Sequence, residues 1–85
     1  MDIEIKYCVM CGGYEAIACG LARAILVRFK TAATVRLVPV RLGGHFEVSL
    51  GGALVHSKLA TYRFPAELSL LDELASRAVS AKAVP

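Results

Sequence analysis

The stretch "YCVMCGGY", Tyr7 to Tyr14, sets two cysteines three positions apart. Thiols at this spacing serve as a dithiol that closes to a disulfide, as half of a metal site, or as inert buried groups. In redox work the second sulfur, about one helical turn on and on the same side, is close enough to resolve a mixed disulfide formed by the first. By that general logic Cys8 is the attacking thiol and Cys11 the resolver. Val9 and Met10 carry no charge to tune either thiol, while Gly12 and Gly13 make a loose first turn that lets a substrate backbone approach. A tetrahedral zinc site needs four ligands, and the rest of the chain offers only Cys19, His45 and His56. Cys19 falls inside an apolar helical pattern and reads as a small core residue.

The elements that must position these thiols are legible from periodicity. Ile3, Ile5 and Tyr7 alternate with Glu4 and Lys6, the pattern of a half-buried strand over residues 3–7. From Tyr14 to Lys30 the period lengthens to that of a helix, with Ile17, Leu21, Ala24, Ile25 and Phe29 as an apolar stripe. Cys8 then ends a strand, and Cys11 lies at or just inside the helix start, where unpaired amides and the macrodipole favour a thiolate. "ATVRLVPV", residues 33–40, reads as a second strand, with Pro39 confined to an edge or an end. "HFEVSL" and "ALVHSK" flank Gly51 and Gly52, a tight hairpin turn. A regular register would set Leu50 opposite Ala53, Val48 opposite Val55 and Glu47 opposite His56. "LATYRFP", residues 59–65, reads as a loop. A last helix follows, starting either near Pro65 and Glu67 or at a capping box of Ser69 and Asp72. It carries Leu68, Leu71, Leu74, Ala75 and Ala78 on one side and runs to about Ala81, with a frayed tail. Strand, helix, strand, hairpin and helix make an α/β chain, an α+β two-layer sandwich of order β-α-β-β-β-α with a mixed four-stranded sheet and a right-handed crossover.

The 85 residues suit one domain, spanning 1–85, and 56% hydrophobic content supplies a core with apolar surface to spare. A monomer or a weak homodimer is expected. The net charge of +3 comes from basic residues scattered along the chain, which argues against nucleic-acid binding. Ala16 to Val27, interrupted by Arg23, is too short to cross a membrane. "MDIEIKY" lacks the basic and apolar regions of a signal peptide, so a cytoplasmic location is expected. Three cysteines, an odd number without an export signal, argue against a structural disulfide framework.

Read together, "YCVMCGGY", "LVPVRLGGHFEVSLGGALVHSK" and "TYRFP" resemble the Rdx family, the thioredoxin-like proteins that include selenoprotein W and its cysteine-containing bacterial relatives. The resemblance runs from about Ile3 into the last helix. It implies a thioredoxin-like fold with a redox site in the first strand-to-helix loop, Cys8 and Cys11 being its two redox positions. Cys11 stands where selenoprotein members carry selenocysteine, which sets the resemblance against the general rule that makes Cys8 the attacker. It further implies glutathione or a protein thiol or disulfide as redox partner, with no tightly bound cofactor. His45, Phe46, Phe64 and Pro65 would border the loop, and Ser57 and Lys58 would be a solvated strand end or an anchor for an anionic partner. Three departures stand out: Tyr14 lies three rather than two residues past the second redox position, Tyr62 replaces a frequent glycine, and Gly43, Gly44 and His45 stand where ordinary thioredoxins place a proline.

Two functions of different class fit these residues. One is a thiol–disulfide oxidoreductase or redox carrier working through Cys8 and Cys11. The other is an interaction module whose surface the same pair switches without turnover; a zinc-binding protein is a third reading.

Overall fold

The structure is a computed structural model, which describes residues 1–83. Its elements are β1 (Asp2–Cys8), α1 (Tyr14–Phe29), β2 (Thr34–Val40), β3 (Phe46–Leu50), β4 (Ala53–Ser57), α2 (Lys58–Thr61) and α3 (Glu67–Ala83), with a 3-10 turn over Lys30–Ala32. The strands form one mixed sheet in the order β2-β1-β3-β4, with β1 parallel to β2 and antiparallel to β3. Placing β1 in the middle follows from its composition: its alternating Ile3, Ile5 and Tyr7 are buried, and both its ladder edges are occupied. Pro39, which cannot donate to a ladder, falls on the edge strand β2.

Both long helices pack on the face that carries Ile3, Ile5, Tyr7, Phe46 and Val48. Their contributions are Ala18, Leu21, Ala22 and Ile25 from α1 and Leu70, Leu71 and Leu74 from α3, in a single apolar cluster. Among the described residues the opposite face has no covering layer and presents the other half of the alternation, where Arg36 and Glu4 form an ion pair at 2.6 Å between β2 and β1. Two expected core positions are corrected. Ile17 is only partly covered and Leu68 is 73% exposed, because α3 turns Leu70, Leu71 and Leu74 to the sheet and leaves Leu68 on the groove beside Val27. The helix starts at Glu67, the earlier of the two expected positions, and the tail expected beyond it lies outside the described residues.

The hairpin turns where expected, on Gly51 and Gly52 at φ 57° and 86°, and Leu50 faces Ala53. Its register then departs from the regular one. A bulge opposite Val48 and Ser49 sets Val48 against His56 and Glu47 against Ser57, so Glu47 and His56 do not meet. The extra residue lets two consecutive side chains serve the helix layer: Val55 packs on the core, and His56 Nε2 lies 2.8 Å from the Arg63 carbonyl oxygen. The segment from Leu59 also differs from the expected loop. Ser57 Oγ accepts the Ala60 amide at 3.2 Å and caps the single turn of α2, which ends at Tyr62 in the left-handed region.

Phe46 has no exposed surface and joins the sheet to the aromatic side chains near the first turn. Phe46→Ala is expected to lower unfolding free energy by about 3–5 kcal/mol in urea titrations. Leu68→Ala should change it by less than about 0.5 kcal/mol.

Candidate functional site

The central strand ends inside a bracket made by its two neighbours. The Cys8 amide donates to the His45 carbonyl at 2.8 Å, and the Val9 amide donates to the Val40 carbonyl at 2.8 Å. These bonds hold the backbone on which the first sulfur stands. Cys8 and Cys11 form a disulfide with their Cα atoms 5.5 Å apart. The two sulfurs are not equivalent: Cys8 is 1% exposed, whereas Cys11 is partly open. The Cys8 sulfur also lies 3.9 Å from the Arg41 carbonyl oxygen.

Cys11 stands three residues before α1 rather than at or inside its start. Gly13, at φ 83°, takes the cap position of the helix and supplies no side-chain bond, and the Tyr14 amide donates back to the Cys11 carbonyl at 3.3 Å. A left-handed cap suits glycine, since a Cβ there would strain the backbone. The disulfide is thus carried on a turn between strand and helix that exposes Val9 and Met10 (68%), with Leu42 (77% exposed) next in the chain to the Arg41 carbonyl that lies against Cys8.

Behind this turn Tyr14, Phe46 and Phe64 form an edge-to-face cluster, with Tyr14 and Phe64 centroids 4.8 Å apart and Phe46 and Phe64 5.2 Å apart. The Lys58 ammonium lies 5.4 Å from the Tyr14 ring centre and 5.2 Å from that of Phe64, a cation held on two aromatic faces. On β1 the Tyr7 hydroxyl reaches Glu15 Oε1 at 3.5 Å. Burial, with the neighbouring Glu15 and Cys19 adding to it, pushes the Tyr7 phenol up from its ordinary value, so it keeps its proton at neutral pH.

The Arg41–His45 segment occupies the place where a proline was absent from the sequence. Gly43 and Gly44 have φ of 96° and 61°. A Cβ on Gly43 would come within 2.9 Å of His45 Nε2, so the imidazole lies across the space that glycine leaves. His45 Nδ1 is 3.6 Å from Glu47 Oε1.

Of the residues singled out from the sequence, Cys8, Cys11, Gly12, Gly13, Tyr14, His45 and Phe46 gather at this end of the sheet, with Phe64 and Lys58 behind them through the Tyr14 ring. Ser57 is committed to capping α2. Pro65 sits away from the disulfide, along grooves it shares with Val55 and Ser69 on one side and with Ile17 and Gly20 on the other. Cys19 is exposed, not a core residue, because the neighbouring Ala18 takes the buried position on α1. Three contributors escaped the sequence: the carbonyls of Val40 and Arg41, which carry no side-chain signal, and Glu47. The i, i+2 alternation of His45 and Glu47 was enough to put those two on one face. Among the described residues no three His, Cys, Asp or Glu side chains gather as a metal site, and no helix is long and apolar enough to cross a membrane.

A mixed sheet covered by helices on one face, with a Cys-x-x-Cys disulfide in the first strand-to-helix turn, defines a thioredoxin-like domain. The model of the Rdx family matches residues 2–76, and the chain belongs to that family. A protein from Bordetella parapertussis of known crystal structure is 27% identical, covering 89% of this chain and 95% of its own, with a TM-score of 0.83. A selenoprotein W-related protein from Vibrio cholerae is 25% identical, covering 86% and 94%, with a TM-score of 0.74. No curated protein matches the chain.

Two outcomes follow from this geometry. After reduction, brief iodoacetamide labelling followed by peptide mapping is expected to modify Cys11 and Cys19 at least about tenfold faster than Cys8; preferential labelling of Cys8 would contradict the burial difference. Gly43→Ala should cost about 1–3 kcal/mol in urea unfolding, since it strains a left-handed backbone and displaces the His45 ring.

Proposed function

We propose that the chain is a thiol–disulfide oxidoreductase or redox carrier in which Cys11 exchanges with the outside partner and Cys8 resolves the mixed disulfide. The observation that carries this reading is the unequal pair: Cys8 is buried beneath the turn and Cys11 is partly open. An incoming thiolate reaches the accessible sulfur, and the buried one is shielded from competing partners. This reverses the roles that general Cys-x-x-Cys logic assigns. It agrees with the correspondence between Cys11 and the selenocysteine position in relatives.

The redox partner is a small thiol such as glutathione, or a protein thiol or disulfide, met in a reducing compartment such as the cytoplasm. The exposed apolar side chains of Val9, Met10 and Leu42 supply a contact area for such a partner. Those same side chains support a second reading, in which opening and closing the disulfide alters an interaction surface without turnover.

The test is reduction of a small disulfide substrate by a glutathione-regenerating system. Turnover is expected for the native chain and should be lost in Cys11→Ser, whereas Cys8→Ser should accumulate a mixed disulfide on Cys11 detectable by mass spectrometry. Reversible closure without turnover would leave the switch, and stoichiometric zinc in the reduced protein would favour a metal role.

A further inference from the structure

We propose that His45, with the Glu47 carboxylate beside it, takes the proton from the Cys8 thiol as the disulfide closes and returns it when the disulfide opens, a role that rests on the dithiol reading above. The placement comes from the ladder. Tyr7 faces Phe46 and Lys6 faces Glu47, and the bond from the Cys8 amide to the His45 carbonyl carries that pairing one step past the end of β3. Facing residues of an antiparallel pair send their side chains to the same side, with Cβ atoms about 5 Å apart. Cys8, His45 and Glu47 therefore share the face that the helices leave open.

The couple itself is unusual. His45 Nδ1 and Glu47 Oε2 are both buried without a hydrogen-bond partner, and the 3.6 Å between His45 Nδ1 and Glu47 Oε1 is too long for a hydrogen bond. Leaving such groups buried and unpartnered is unfavourable, a standing penalty in so small a domain. An imidazole that has accepted a proton removes it, because the carboxylate becomes its counter-charge and a small shift closes a charge-assisted bond. The charged residue in register with the couple on β1 is Lys6, opposite Glu47, while Arg41 approaches the Cys8 sulfur through its backbone carbonyl. From β4 the residue in register with Glu47 is the uncharged Ser57.

Cys8 is the thiol that needs such help. Buried and beside a carbonyl oxygen, it gains nothing from solvent or from a helix terminus that would stabilise a free thiolate. In the closing step a substrate disulfide has already left a mixed disulfide on Cys11. The proton passes from Cys8 Sγ to the His45 imidazole and Cys8 Sγ bonds to Cys11 Sγ. The bond from Cys11 Sγ to the substrate sulfur breaks, and its electron pair leaves with the substrate thiolate. The dithiol is oxidised and the substrate disulfide reduced.

The experiment uses the reduced full chain carrying Cys19→Ser and the coloured disulfide dithiobis-nitrobenzoate in stopped flow. The first equivalent of nitrothiobenzoate reports attack by Cys11, and the second reports closure by Cys8. His45→Gln is expected to slow the second release relative to the first by at least about tenfold near pH 7, with an unaltered circular dichroism spectrum certifying the fold. The difference should narrow steadily as the pH is raised, because hydroxide then removes the thiol proton without the imidazole. Glu47→Gln should give a smaller slowing with the same convergence, and added imidazole should restore closure in His45→Ala. A second release with the same pH profile in His45→Gln as in the parent overturns the proposal. A parent that releases only one equivalent overturns the dithiol reading instead, and the proton transfer with it.

Discussion

The hydrogen bonds from the Cys8 and Val9 amides to His45 and Val40 are the constraint on which the site depends. They exist because β1 is the middle strand, with a parallel neighbour arriving on one side and an antiparallel neighbour departing on the other. A strand at the sheet edge would have one such anchor and a sulfur open to solvent. Here the backbone at the end of β1 is held from both sides, and the chain that leaves it must turn at once. Val9 to Gly13 make that turn before α1 can begin.

That turn divides the labour between the sulfurs. Cys8 belongs to the sheet and shares its burial; Cys11 belongs to the connection and shares its exposure. Generic expectations for Cys-x-x-Cys assume that the second cysteine sits within a helix and the first projects beyond it. The left-handed Gly13 delays the helix until Tyr14, so the second cysteine is released from the helix and the usual geometry is inverted. Gly13 is thus the residue that decides where α1 starts. Tyr14, the first residue of that helix, reaches Phe46 and Phe64 across the core.

Much of this architecture was legible from periodicity because strands and helices are selected by local patterns. The alternation of Ile3, Ile5 and Tyr7, the Gly51–Gly52 turn and the helical stretch from Tyr14 each depend on residues close in sequence. The failures share a different cause. The bulge in β4 exists because both Val55 and His56 are wanted on the helix side, one by the core and one by the loop before α3. The exposure of Cys19 and Leu68 depends on how far each helix rotates as it docks. Both helices have apolar residues on more than one side, so the pattern admits several rotations and packing picks one.

By itself the sequence determined the thiol pair and the order of the main strands and long helices, since thiol spacing, alternation and turn glycines act over a few residues. It also carried the family resemblance in segments that recur in order. Which sulfur is the more open, which carbonyls bracket Cys8 and which residues of β4 face β3 were decided only by the tertiary structure. Those relations join residues some thirty to forty positions apart, or turn on a single inserted residue in a ladder. They arise when the sheet closes around β1, and no local pattern encodes the register with which it closes.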